Sequence, residues 1–190
     1  VMRDTNGDFL NKRSPFRAEF TVTATRAALN VVGIHGPTSQ PTSGDYRDAI
    51  EYANQLDTIA GINQAAINPK QDLYIGGDFN CCPNDSYWKN AGTKKRQKVI
   101  PFEGLIANFG YRVTLPTPTD TSLLDSLNGA NYLSQPYDNI VFQLPSQAPV
   151  LPTVRRIDTV AHAPTWGTNP LSTFNVARAV SDHLPVCIQY

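Results

Sequence analysis

Cysteine is scarce: Cys81 and Cys82 are adjacent, Cys187 lies near the end, and there are no others among 190 residues. Neighbouring cysteines rarely bridge each other, the count is odd, and no spacing matches a zinc ligand set. The reading is therefore buried free thiols, with a bridge from Cys187 to one of the pair as the alternative. Net charge is also lacking, since 16 basic residues balance 16 acidic ones. That removes any whole-molecule attraction to nucleic acid or to an anionic membrane, so a polyanion would have to be handled locally. No apolar run approaches the ~20 residues that a membrane-spanning helix needs. An initiating methionine is missing too. The chain opens on "VMRDTNGDFLNKRSPFRAEFTV", a hairpin already under way, and the expectation is that something upstream has been removed.

What is present describes an ordinary globular chain: 41% hydrophobic residues, 15 prolines and 12 glycines. Such a length can bury a real core, and residues 1–190 are expected to form a single domain. Rough alternation in "FRAEFTVTAT" (16–25) predicts a half-buried strand after the turn signal Asn6-Gly7-Asp8. "AALNVVGIHG" (27–36) reads as a strand buried on both faces, with His35 at its C-terminal end. From Asp45 to about Asn68, Ile50, Ala53, Leu56, Ile59 and Ala60 recur with helical spacing, and Asn68-Pro69 stops the helix. "DLYIGGDFN" (72–80) is the next buried strand. Strand, helix and strand then make a βαβ unit with a parallel pair, and both His35 and Asp78 fall at carboxyl ends, where open α/β sheets keep their ligand sites. "PFEGLIANFGYRVTLP" suggests a short helix and turn, "YDNIVFQL" a strand, and "SDHLPVCIQY" a final strand with Asp182 and His183 at its start.

Five short polar stretches thus stand at strand ends: "KRSP" (12–15), "GIHG" (33–36), "GGDFN" (76–80), "PYDNI" (136–140) and "SDHLP" (181–185). Each alone has an ordinary structural explanation, since aspartates cap turns and histidines sit beside them. In this order, however, they resemble the endonuclease/exonuclease/phosphatase superfamily, deoxyribonuclease I and its bacterial relatives in particular. The resemblance runs through nearly the whole chain and is most specific in "GGDFN" and "SDHLPV". It implies an α/β fold, the C-terminal portion of a four-layer α/β/β/α sandwich. It also implies a metal-dependent phosphodiester hydrolase, a DNA endonuclease of low sequence specificity.

Hydrolysing a phosphodiester needs an in-line water, a divalent cation, positive donors and an acid–base pair. The resemblance implies that Asp78 and Asn80 position the water and the phosphate oxygens, and that Asp182 lies beside the metal. It gives His183 general catalysis or stabilisation of the pentacovalent state, with Asp138 bonded to it, and makes His35 the second histidine on the phosphate. Arg13 matches the arginine that grips substrate phosphate, although Lys12 and Arg17 stand close enough to serve instead. Magnesium is the implied cofactor, with manganese or calcium as alternatives, held through Asp78, Asn80 and Asp182; hard oxygen ligands and retained waters suit it. DNA is the implied partner. "TKKRQK" (93–98) reads first as a solvated loop and second as a contact for a nucleic-acid backbone, and Tyr87 and Trp88 before it as sheet packing or as a stacking surface for a base.

The chain departs from the family pattern at its beginning. The opening-strand asparagine and the glutamate that is the family's main metal ligand have no counterpart; Asp4, Asp8, Glu19 and Glu51 are poor substitutes. His35 lacks its usual acidic partner upstream. This chain is therefore expected to be part of a longer enzyme, inactive alone, with an exposed sheet face that calls for the missing segment or another copy. The other readings are a phosphatase or phosphodiesterase acting on lipid or small-molecule phosphates, and a non-catalytic interaction fragment.

Overall fold

A computed structural model gives the structure and describes residues 1–3, 6, 13–21, 23–24, 28–38, 46–63, 72–90, 96–113, 119–128, 131–143, 153–162 and 169–189. Along the chain run β1 (Phe16–Thr21), β2 (Ala28–His35), α1 (Arg47–Gln55), β3 (Asp72–Asp78), β4 (Tyr87–Asn90), β5 (Arg96–Val99) and α2 (Glu103–Phe109). They are followed by β6 (Arg112–Val113), β7 (Leu123–Asn128), β8 (Asn131–Leu133), β9 (Asp138–Gln143), β10 (Thr153–Arg156), α3 (Thr159–His162), α4 (Pro170–Val180) and β11 (Val186–Gln189). The result is a mixed α/β fold around one central sheet in the order β1-β2-β3-β9-β6.

Within that sheet β2 and β3 are parallel neighbours, as the strand–helix–strand pattern predicts, while β1, β9 and β6 join antiparallel. The helix between them is shorter than its periodicity suggests. After Gln55 a 3-10 turn (Leu56–Thr58) leads to Gly61, whose φ of 93° is left-handed; the predicted stop at Asn68-Pro69 lies outside the described residues. Ala49, Ile50, Tyr52, Ala53 and Leu56 line the buried side of α1 and the turn after it, and meet Val32, Ile34, Ile75 and Val141 from the sheet. Each valine, isoleucine and leucine side chain among these contributes about 1.5–3 kcal/mol on burial. Asn54 ties α1 to α2: its amide donates to the Ile100 carbonyl at 2.8 Å and its oxygen accepts the Glu103 N–H at 3.0 Å. Phe102, just before α2, holds a left-handed φ of 63° and packs edge-on to Phe79 with centroids 4.8 Å apart.

The opposite sheet face carries Phe16 and Phe20, 59% and 54% exposed. A second, smaller core gathers Leu123, Phe174 and Leu184 between β7, α4 and the turn before β11. The last strand is shorter than expected: it begins at Val186, paired with β10, so Asp182 and His183 belong to the preceding turn. Pro185, which has no N–H to give a ladder, separates the two. All three cysteines are free; Cys81 and Cys82 are buried.

Candidate active site

Three of the predicted residues form one row across the central sheet. His35 pairs with Asp78 between β2 and β3, and Asp78 pairs with Asp138 between β3 and β9, so the three side chains share a face at one rim. Because β9 runs against β3, its N-terminal residue arrives where β3 ends. The backbone is tightly drawn there. Gly36 N–H donates to the Asp78 carbonyl at 2.7 Å, and a β-carbon on Gly36 would stand 2.5 Å from the Phe79 carbonyl oxygen. Gly77 holds φ at 143°, and a β-carbon there would lie 2.2 Å from the Ile34 carbonyl oxygen. Both glycines of "GGDFN" and "GIHG" nearest the site are thus demanded by the close approach of two chains.

Asn80 turns back on Asp78. With φ at 53°, its N–H donates to Asp78 Oδ1 at 2.8 Å and its side-chain amide to Oδ2 at 3.1 Å. The same amide reaches the Gly36 carbonyl at 3.1 Å, where Arg13 Nη1 also donates at 2.8 Å. Arg13 therefore braces the backbone beside His35, and the Tyr52 hydroxyl holds the Arg13 carbonyl at 2.8 Å. Arg17 is engaged mid-strand by Asn30 and, at 4.0 Å, by Glu19, and Lys12 is outside the described residues.

His183 comes from the far end of the chain. A bridge to Ser122 sets its backbone, flanked by Leu123 N–H to the Asp182 carbonyl at 2.7 Å and Leu184 N–H to the Thr121 carbonyl at 2.6 Å. Its Nδ1–H donates to Asp138 Oδ2 at 2.6 Å, since a carboxylate can only accept. Its Nε2 then faces Asp78 Oδ2 at 3.7 Å and Asp182 Oδ1 at 3.8 Å, while His35 Nε2 stands 3.6 Å from the same Asp78 oxygen. The Asp138 bond raises the His183 pKa above its ordinary 6.5, against burial. Burial raises that of Asp78 above the usual carboxylate value, partly offset by the Asn80 N–H and the two imidazoles.

These groups open onto a cleft of about 490 Å³ lined by His35, Asp78, Asn80, Ser122, Asp182 and His183. Arg178 of α4 lines it as well, bonded at 2.5 Å to Asp125, and is a cation that motif reading passes over. Thr121, buried behind the cleft wall with its hydroxyl accepting the Asp138 N–H at 2.9 Å, is also passed over by motif reading. Neither carries a sequence signal beyond proximity to a motif.

The donor chemistry suits a cation that keeps most of its waters. Asp78 and Asp182 bring two carboxylates to one imidazole nitrogen, and Asp182 is 70% exposed. Magnesium typically takes one or two carboxylates and retains water. It is not a closed cage: among the described residues no group of three His, Cys, Asp or Glu is arranged to hold a metal ion. Glu51 accepts the Tyr87 hydroxyl at 2.6 Å and Glu19 lies mid-strand, so neither substitutes for a rim glutamate; Asp4 and Asp8 lie outside the described residues.

No family model and no curated protein matches this sequence. Solved structures similar to it include D. rerio TDP2 complexed with single strand DNA product, at 13% identity and a TM-score of 0.45, covering 83% of this chain and 57% of that one. A beta toxin from Staphylococcus aureus matches at 16% and 0.46, covering 80% and 49%. Humanized D. rerio TDP2 matches at 15% and 0.44, covering 83% and 56%. The chain spans about half the length of these structures, and a likeness at this level does not carry activity across.

Proposed function

We propose that the rim is the active site of a metal-dependent phosphodiester hydrolase, a DNA endonuclease of low sequence preference, built on the C-terminal part of a four-layer sandwich. The observation that carries this is Asp78 Oδ2 standing 3.6 and 3.7 Å from two histidine Nε2 atoms brought together from distant parts of the chain. The order of motifs in the sequence supports it independently.

A phosphate seated in the cleft would meet His35 and His183 as donors. Asp138 fixes the His183 tautomer and favours its charged form, leaving an Nε2–H for a non-bridging or leaving oxygen. Asp78, less willing than a free carboxylate to be charged, is suited to orient and take a proton from the attacking water, and Asn80 holds it in place. Magnesium held through Asp78 and Asp182, with Asn80 beside them, would supply neutralisation of charge growing on the phosphate oxygens. Arg13 stiffens the backbone beside His35 and keeps further donors for substrate phosphate.

In millimolar magnesium the intact protein is expected to relax supercoiled plasmid. Asp78→Ala, His35→Ala and His183→Ala should each slow this by roughly a hundred- to ten-thousandfold with the far-ultraviolet circular dichroism unchanged. Undiminished nicking by Asp78→Ala would remove the mechanism. Net neutrality fits a small phosphate ester equally well. Salt separates the two, because DNA cleavage weakens steeply with ionic strength and hydrolysis of a small ester does not.

A further inference from the structure

The "YWKN" and "RQKV" segments form an antiparallel hairpin directly after the rim, in place of the solvated loop expected for the second of them. Its register sets Tyr87 opposite Val99, Trp88 opposite Lys98, Lys89 opposite Gln97 and Asn90 opposite Arg96. Directly opposed residues share a face, and alternate residues switch faces. Tyr87 and Val99 pack onto the main core. The outer face is therefore Trp88, Lys98, Asn90 and Arg96, with Trp88 60% exposed.

Charge on this hairpin runs against the neutrality of the chain. Lys89, Arg96 and Lys98 are all exposed, and no acid is present in β4 or β5. The hairpin is also firmly based. Tyr87 donates its hydroxyl to Glu51 of α1 at 2.6 Å, and the Arg47 guanidinium lies 5.4 Å from the centre of the Tyr87 ring. Tyr46, next to Arg47, meets edge-on the ring of Tyr137, which lines the cleft, at 6.5 Å. On the entry side, Asp85 and Cys82 close a turn, with Cys82 N–H to Asp85 Oδ2 at 2.7 Å and Asp85 N–H to the Cys82 carbonyl at 2.9 Å. A continuous set of contacts thus joins the cleft wall to the base of the hairpin.

We infer that the outer face of this hairpin is a stacking platform for an unpaired nucleobase, with Lys98 and Arg96, on the same face as Trp88, placed for the adjoining phosphates. An indole face left open beside cations on a pre-positioned ribbon matches what single strands require: every base has a π-face, and every linkage is anionic. The inference rests on the phosphodiester-hydrolase reading of the rim and narrows its substrate to nucleic acid with a single-stranded stretch beside the cut.

The test is fluorescence anisotropy of a labelled oligothymidylate in EDTA, where cleavage cannot intrude, against a blunt duplex of equal length. The single strand is expected to bind more tightly. Trp88→Ala should weaken it by roughly five- to hundredfold, and Trp88→Phe should keep most of the affinity. Lys98→Glu, a second variant at an exposed position, should weaken binding and lower the slope of log affinity against log salt by about one or more. Trp88→Ala binding as wild type overturns the platform. So does Trp88-dependent binding to phosphatidylserine vesicles with none to the oligonucleotide. Hydrolysis of bis(p-nitrophenyl) phosphate by the intact protein, without substitutions, in magnesium is measured separately. Its absence removes the hydrolase reading and leaves the binding result standing, whereas its presence with Trp88-independent DNA binding removes the platform alone.

Discussion

His183 is held by Asp138 on one side and looks toward Asp78 and Asp182 on the other. Its pKa in the fold lies above the ordinary 6.5, chiefly through the Asp138 hydrogen bond. The stabilisation from this pair is therefore fully present below that ordinary value and fades as pH rises through the folded midpoint. In the metal-free protein, an NMR titration of the His183 ring should give a midpoint above 6.5, and Asp138→Asn should bring it down and flatten that part of the stability–pH curve. An unchanged midpoint in Asp138→Asn would show that the bond does not govern the proton. At this scale the sequence is informative where a residue type is rare and chemically pointed: His35, Asp78, Asn80, Asp138, Asp182 and His183 could all be nominated from short motifs. Thr121 and Arg178 could not, because a threonine accepting one N–H and an arginine in a helical last turn look like countless structural ones until the fold closes around them.

Elements with a buried periodic face were legible: β2, α1, β3 and β9 all follow from apolar spacing, with ends displaced by a few residues. Those that bury little were not. Arg96–Val99 reads as solvated because its side chains are mostly exposed, and only cross-strand pairing makes it a strand. The helix α4 escaped for another reason. Its start is marked by a reciprocal cap, Asn169 accepting the Ser172 N–H at 2.9 Å and Ser172 Oγ accepting the Asn169 N–H at 3.0 Å, with Pro170 at the first helical position. That signal was present, but the β-branched and polar residues after it dilute the helical period. Asn169→Ala is expected to cost about 1 kcal/mol. In a domain of this size the thermal midpoint should fall by roughly 2–4 °C, and calorimetry showing no change would mean the cap is redundant.

For the molecule as a whole, there are two separate cores of unequal size, the larger under α1 and the smaller under α4. The central sheet turns Phe16 and Phe20 to solvent on the face away from α1. Exposed aromatic area of this kind takes up apolar dyes. The folded chain should enhance 8-anilinonaphthalene-1-sulfonate fluorescence, and the double variant Phe16→Thr, Phe20→Thr should reduce that enhancement at least about twofold without loss of secondary structure. Equal dye binding by the variant would locate the apolar surface elsewhere. Convergence of the motifs onto one rim was foreseeable only through family resemblance, because nothing in local spacing says that β9 enters beside β3 and runs the other way.

That opposed entry leaves the chain no slack in length. His35, Asp78 and Asp138 stand in a single transverse row, so one residue inserted into β2, β3 or β9 would shift its member by about 3.3 Å and turn it to the other side of the sheet. Insertions and deletions should accumulate at the distant turns and be purged from these three strands, a constraint on gene length that no single side chain imposes.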